Sequence, residues 1–253
     1  MRFDLQKASL GKRITAWLLD AILLLVLITG AAVLLSLAFG YDGYVQQLQG
    51  AYEKYETMYN VDFNLSQEEF AKLTEQQLAV YEQAFTALNE DEGAMQAYAM
   101  VVSLTLAIVS LSVLFSYLVL ELFIPLYFKN GQTIGKKVFS IALIRPDGVK
   151  VTPFMMFVRT VLAKYTLETM IPILIIIMMV FGITGIEGTI VLGLLLLIQI
   201  GLLLFNRTRS LLHDLIACTV AVDNASQMMF ENPEALLEYQ KRIHAEEAEH
   251  SDY

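Results

Sequence analysis

Asp20 stands inside an otherwise apolar run, Ile14 to Phe39, and its placement says most about possible chemistry. It follows Arg13 by seven positions, which on a helix is about 10 Å up the same face. An acid inside a membrane-spanning helix costs roughly 2.5–3.5 kcal/mol on insertion scales, so it must face other helices, water, an ion or a proton. Asp20 is thus an ion or proton site, a substrate gate, or a clamp bonded to another span. Glu121 is a second acid in an apolar run and could act as a second ligand. Glu168 and Gln199 are further polar residues of apolar stretches, and Gln199 suits a helix-to-helix hydrogen bond. Past the last apolar run comes His213-Asp214. Asp214 is placed to pair with Arg13, and His213 titrates near neutrality and would add pH sensitivity. The candidate ion-binding or gating residues are therefore Arg13, Asp20, Glu121 and Asp214, with His213 as pH sensor. The sequence carries no Ser/His/Asp arrangement, no HExxH and a single cysteine, Cys218. His244 and His250 are six apart and share no helix face. The expectation is a non-enzyme without cofactor or metal.

These residues need elements to hold them, and the composition says which. Of 253 residues 56% are hydrophobic and 17% charged. Ordinary soluble domains run about 45–50% apolar and about 25% charged, so a typical soluble enzyme is excluded. The net charge of -9 argues against nucleic-acid binding. The apolar residues sit in blocks. Ile14–Phe39 makes a helix of roughly 39 Å, enough to cross a ~30 Å hydrocarbon layer with tilt. Its apolar run is too long for a signal peptide, despite Lys7, Lys12 and Arg13 before it. Val101–Phe128 is the second block, Ile171–Ile183 the third with a helix start near Tyr165, and Thr189–Phe205 the fourth. A turn over 182–188 joins the last two. Of 17 basic residues only Lys54 and Lys72 lie between the first two blocks. The others, Arg2, Arg207 and Arg209 among them, flank the remaining ends, which predicts both termini and the central loop in the cytoplasm.

The segment 40–98 carries eleven acids against those two lysines, lacks proline, and reads as helical. Ser66-Gln-Glu-Glu69 fits a capping box that starts a helix carrying Phe70, Leu73, Gln77 and Tyr81. An earlier helix places Tyr44, Leu48, Tyr52, Tyr55 and Tyr59 on one stripe, more suited to packing than to a partner. In the central loop Val138–Ile144, Arg145-Pro-Asp-Gly148 and Val149–Thr152 read as a β-hairpin. Gly131-Gln-Thr-Ile-Gly-Lys-Lys137 lacks the glycine spacing and the Ser/Thr of a phosphate-binding loop. Pro153–Met170 reads as an interfacial amphipathic helix, with Lys164 and Glu168 as an i,i+4 pair and Pro172 allowing a bend. Pro233 opens a polar tail helix.

Leu10-Gly-Lys-Arg13 with Asp20, then the Gly131–Lys137 segment, Arg159, and Leu212-His-Asp214-Leu-Ile-Ala217-Cys-Thr219 resemble the RDD family of membrane proteins. The likeness spans 8–39 and 99–222. By this resemblance Arg13, Asp20 and Asp214 are the residues for which the family is named. It implies transport of an unidentified ligand, with cation/proton exchange suggested. Cys218 stands where the family usually has glycine, a change expected to loosen a close contact. The outer segment is longer than the family leads one to expect. The expected fold class is an all-α membrane protein: a four-span helical bundle with a helical outer insertion and a short cytoplasmic β-hairpin. Its expected parts are 1–39 with the first span, 40–98 outside, 99–128 the second span, 129–170 the loop and interfacial helix, 171–206 spans three and four, and 207–253 the tail. The functional expectation is a bacterial plasma-membrane protein moving a small ligand or a monovalent cation, Na⁺ or H⁺, as a possible homodimer. The alternative is a scaffold that holds a membrane protein partner through its outer helices and tail.

Overall fold

The structure is a computed structural model that describes residues 5–180, 184–206 and 210–251. Arg2, Arg207, Arg209, Gly182, Ile183 and the side chain of His250 lie outside the described residues. The elements are α1 (Leu10–Phe39), α2 (Tyr41–Tyr59), α3 (Gln67–Phe70), α4 (Glu75–Glu90), α5 (Glu92–Phe128), α6 (Ile134–Val138) and β1 (Ile141–Ile144). They continue with α7 (Pro153–Met179), α8 (Ile186–Phe205), α9 (Leu212–Ile216), β2 (Val220–Asp223) and α10 (Pro233–Ser251). α1, α5, α7 and α8 are each long and apolar enough to cross a membrane, with mean hydropathies of 1.8 to 2.8. The fold is that of an all-α membrane protein with a small two-stranded sheet. Two compact units are distinguished, Met1–Ile28 with Val113–Tyr253, and Thr29–Ser112.

α7 differs from expectation. It begins at Pro153, capped by the Thr152 hydroxyl, and runs on into the apolar stretch. No break separates an interfacial helix from a third span. Instead, Leu118–Phe123 of α5 and Val158–Met170 of α7 are π-helical. Two prolines account for where the hydrogen bonding changes. Pro125 and Pro172 lack the N–H that the carbonyls of Glu121 and Glu168, four residues earlier, would accept in an α-helix. The widened turns shift the pattern to i→i+5, as in Ile124 N–H to Val119 O and Ile171 N–H to Thr166 O. The two π stretches pack on each other, and the Thr160 hydroxyl donates 2.8 Å to the Glu121 carbonyl.

The β-hairpin is also corrected. The Arg145–Gly148 turn forms, closed by Gly148 N–H to Arg145 O at 3.0 Å, but only Ile144–Lys150 bridges back. β1 pairs instead with β2, antiparallel, with Ile141 opposite Asp223 and Ile144 opposite Val220. All four β1 residues are buried, which a solvent-facing hairpin cannot provide. Ile141 and Leu143 pack with Ala8, Ala16, Leu122, Met156 and Ala221. Ala142 and Ile144 pack on Val220 and Val222. The returning strand has no room to lengthen, because Thr152 already caps α7.

In the unit Thr29–Ser112, α2 and α4 pack together. Tyr52, Tyr55, Tyr59 and Phe63 surround Leu88 and Ala94, so this part of the tyrosine stripe packs inward. The Ser66–Glu69 capping box is present, but α3 lasts four residues. A second box, Thr74 with Gln77, restarts the helix as α4. Asp91 ties this unit together: Oδ1 accepts from Gly93 and Ala94 N–H, and Oδ2 from Lys54 Nζ and Tyr55 Oη, both at 3.0 Å. The Ala94 N–H and these two side chains lower its pKa to about 2.

Cys218 occupies a position whose backbone favours glycine. α9 ends with Cys218 N–H on Leu215 O and Thr219 N–H on Asp214 O, with Cys218 at φ 50. That is a Schellman ending, whose left-handed residue favours glycine. Backbone handedness, rather than a close contact, is what the substitution strains. Cys218→Gly is expected to raise the melting temperature in detergent, since relief of about 1–2 kcal/mol of left-handed strain exceeds the roughly 0.5–1 kcal/mol entropy cost of glycine. Cys218→Val, β-branched at positive φ, is expected to lower it.

Candidate functional site

Asp20 sits one turn past Ala16 on α1, where α6 approaches closely. A Cβ on Gly135 would overlap the Ala16 carbonyl oxygen, so only glycine lets the two backbones meet. At this approach Asp20 Oδ1 accepts the Gly135 N–H at 2.7 Å and Oδ2 accepts the Thr133 hydroxyl at 2.5 Å. Lys136 Nζ lies 4.0 Å from Asp20 Oδ2, 3.9 Å from Glu121 Oε2 and 3.2 Å from Thr133 Oγ1. The Gly131–Lys137 segment is therefore a docking motif for the first span. Its glycine permits contact, its threonine and amide bind the carboxylate, and its lysine bridges to the second acid.

Glu121 is buried in the π stretch of α5. Lys164 Nζ reaches its Oε1 at 2.5 Å, and Arg159 Nη1 lies 3.6 Å from its Oε2. Arg159, only 2% exposed, donates from Nε to Asp214 Oδ1 at 3.0 Å. Arg13 closes the expected ion pair, with Nη2 3.6 Å from Asp214 Oδ2. In an α-helix Arg159 and Lys164, five apart, would diverge by roughly 140°. The i→i+5 geometry turns both toward Glu121. It also undoes the expected Lys164–Glu168 pair. Glu168 turns to His213 instead, accepting its backbone N–H at 2.9 Å and facing its Nδ1 at 2.8 Å. Gln199 Nε2 donates to Glu168 at 2.7 Å, the helix-to-helix bond expected of it.

Four cations, Arg13, Lys136, Arg159 and Lys164, thus face three carboxylates, Asp20, Glu121 and Asp214, while Glu168 faces His213. Burial pushes His213 below its ordinary pKa despite Asp214 beside it, so it is neutral at pH 7. Burial alone would raise the Asp214 carboxyl, but His213 once protonated in acid, together with Arg159 and Arg13, outweighs it and holds Asp214 well below the usual range. Burial lowers Lys136 to about 8 against the pull of Glu121.

Arg13, Asp20, Glu121, His213 and Asp214 all line one cavity of about 230 Å³. Lys136, Arg159 and Lys164 share its wall, as do apolar Ile14, Trp17 and Leu203. Such a volume accommodates several waters or a small molecule. Within it Glu121 Oε2 and Arg159 Nη1 lack a hydrogen-bond partner among the described residues. No group of three metal-ligating side chains is found among the described residues. Sequence reasoning did not assign Thr133 and Lys136 to the site. Their signal was a glycine flanked by a hydroxyl and lysines in a loop close to a buried acid.

A family model described as the RDD family matches residues 7–218. No curated protein and no solved structure matches the chain.

Three outcomes follow for the site. Asp20→Asn is expected to lower stability by about 1–3 kcal/mol, as loss of charge-assisted hydrogen bonds does, read as a lower melting temperature. Gly135→Ala should cost about 1–3 kcal/mol by forced displacement of α1 from α6. For His213 the unfolded state takes up protons below about pH 6.5 while the folded state resists them. Stability is therefore full above that pH and falls as the pH drops toward the lowered folded value. His213→Gln is expected to flatten this part of a melting-temperature profile.

Proposed function

Because the chain belongs to the RDD family of membrane proteins, we propose that it is a transport protein whose charged cavity takes up a small ligand, with a monovalent cation or proton moved in the same cycle. The supporting observation is the cavity itself, into which α1, α5 and α7 turn ionisable side chains. Intramembrane charges of this density mark ligand and ion pathways. Asp20 has both oxygens engaged by Thr133 and Gly135, so its part is to hold the cavity wall beside Lys136. Glu121, with one oxygen free of hydrogen bonds among the described residues, is the acid that meets the ligand or ion. The Arg13–Asp214 pair is the gate, and His213, against Glu168 and Asp214, makes it pH-sensitive.

The protein is placed in a bacterial plasma membrane, and the distribution of basic residues supports an orientation with both termini and residues 129–152 in the cytoplasm. The cavity then opens near the inner leaflet. Four spans make a narrow transporter, which favours a homodimer. A second reading, a scaffold for a membrane partner, is supported by the engagement of Asp20 and by the long acidic unit Thr29–Ser112.

Purified protein in liposomes with an internal pH dye is the direct test. An imposed Na⁺ gradient is expected to move protons, and Glu121→Gln is expected to abolish this while Asp20→Asn weakens it in step with lost stability. Absence of Na⁺ or H⁺ flux, with a co-purifying partner that is lost on deleting residues 44–95, would select the scaffold instead.

A further inference from the structure

The cavity has a composition that selects its occupant. Four cations line it, Arg13, Lys136, Arg159 and Lys164. Three carboxylates oppose them, Asp20, Glu121 and Asp214, while Glu168 is turned away to His213 and Gln199. His213 adds no charge near neutrality. The wall therefore carries one net positive charge, which a singly charged anion neutralises.

Two buried atoms then specify that anion further. Arg159 Nη1 is a donor and Glu121 Oε2 an acceptor, each without a hydrogen-bond partner among the described residues and only 3.6 Å apart. A buried donor or acceptor left unmade costs about 1–3 kcal/mol, more when charged. The two need opposite things, an acceptor for Arg159 and a donor for Glu121. A bare anion serves only the arginine and a bare cation only the glutamate. One molecule carrying both an anionic oxygen and a hydroxyl or ammonium serves both.

The remaining wall is apolar. Ile14 and Trp17 of α1 are 52% and 63% exposed, on a helix long and apolar enough to cross a membrane. Tryptophan favours the headgroup level, and basic pockets between spanning helices on the cytoplasmic side suit lipid headgroups. We infer that the cavity binds the headgroup of an inner-leaflet phospholipid, a monoanionic phosphodiester bearing a hydrogen-bond donor. Its phosphate faces Arg159 and Lys136, its donor faces Glu121, and its acyl chains lie along Ile14 and Trp17. This rests on the reading of the cavity as the ligand site, and not on transport.

Trp17 is the single tryptophan and lines the cavity, so its emission reports occupancy. The full chain, delipidated in detergent, is titrated with dihexanoyl phosphatidylglycerol, dihexanoyl phosphatidylcholine and inorganic phosphate. Phosphatidylglycerol should give a saturable shift at a concentration about tenfold below phosphatidylcholine, which lacks both the donor and the net charge, a difference of about 1.4 kcal/mol. Inorganic phosphate should give none. Glu121→Gln should reduce the preference between the two lipids, and Lys136→Met should weaken phosphatidylglycerol about tenfold. Equal response to both lipids, in the parent protein, overturns the inference. So does a preference that survives unchanged in both variants. A response to inorganic phosphate equal to that of phosphatidylglycerol overturns the lipid source and assigns a soluble phosphate. Selective lipid binding in protein without ion flux leaves the headgroup site standing and removes the transport reading. Flux without lipid selectivity does the reverse.

Discussion

Arg159 is the charge around which the membrane part of this protein is arranged. A guanidinium at 2% exposure survives only if carboxylates meet it, and Asp214 at Nε and Glu121 at Nη1 do so. Removing one member of such a buried pair leaves an uncompensated charge, at a cost of about 3–5 kcal/mol. Arg13, Lys164 and Lys136 then balance what those two acids bring. The helices that carry these groups are thus held in one register by charge rather than by shape alone. In a bilayer this matters more than in water, because apolar side chains gain little by leaving lipid for one another.

The backbone is bent to serve that arrangement. Pro125 and Pro172 each stand four residues after a glutamate of the cluster, and each removes the hydrogen bond its carbonyl would have accepted. The π turns that follow place Arg159 and Lys164 together and free Glu168 for His213. π-helical turns often occur at functional sites, and here the two face each other across a threonine-to-carbonyl bond. The loop segment Gly131–Lys137 completes the wall by seating its amide and hydroxyl on Asp20. A cavity whose wall carries one net positive charge, with one buried donor and one buried acceptor lacking hydrogen bonds among the described residues, is the result.

The unit Thr29–Ser112 follows different physics. Its helices are held by aromatic packing around Phe63 and by capping boxes, and Asp91 gathers four donors at the start of α5. Its acids remain largely on the surface, as expected of a solvated face.

Much of this was legible in the residues alone. Block lengths decide the four spans, because hydrocarbon thickness sets how many apolar residues a helix needs. The Arg13–Asp214 pair and the Gln199 bond were legible too, since a charge or an amide near a membrane face has few alternatives. The Ser66 box was readable because capping is local chemistry. What depends on distant partners was settled only by tertiary structure. The partner of β1 comes from about 80 residues downstream, since burying both faces of Ile141–Ile144 matters more than the nearest turn. The engagement of Asp20 arises where a loop glycine meets a helix carbonyl, and no periodicity records such a meeting. Lys164 and Glu168 part because π geometry overrides the four-residue spacing by which the sequence pairs them. Local hydrogen bonding and hydrophobic length are written along the chain. Which buried charge answers which is decided only when the helices come together, because a Coulombic partner is chosen by distance in space.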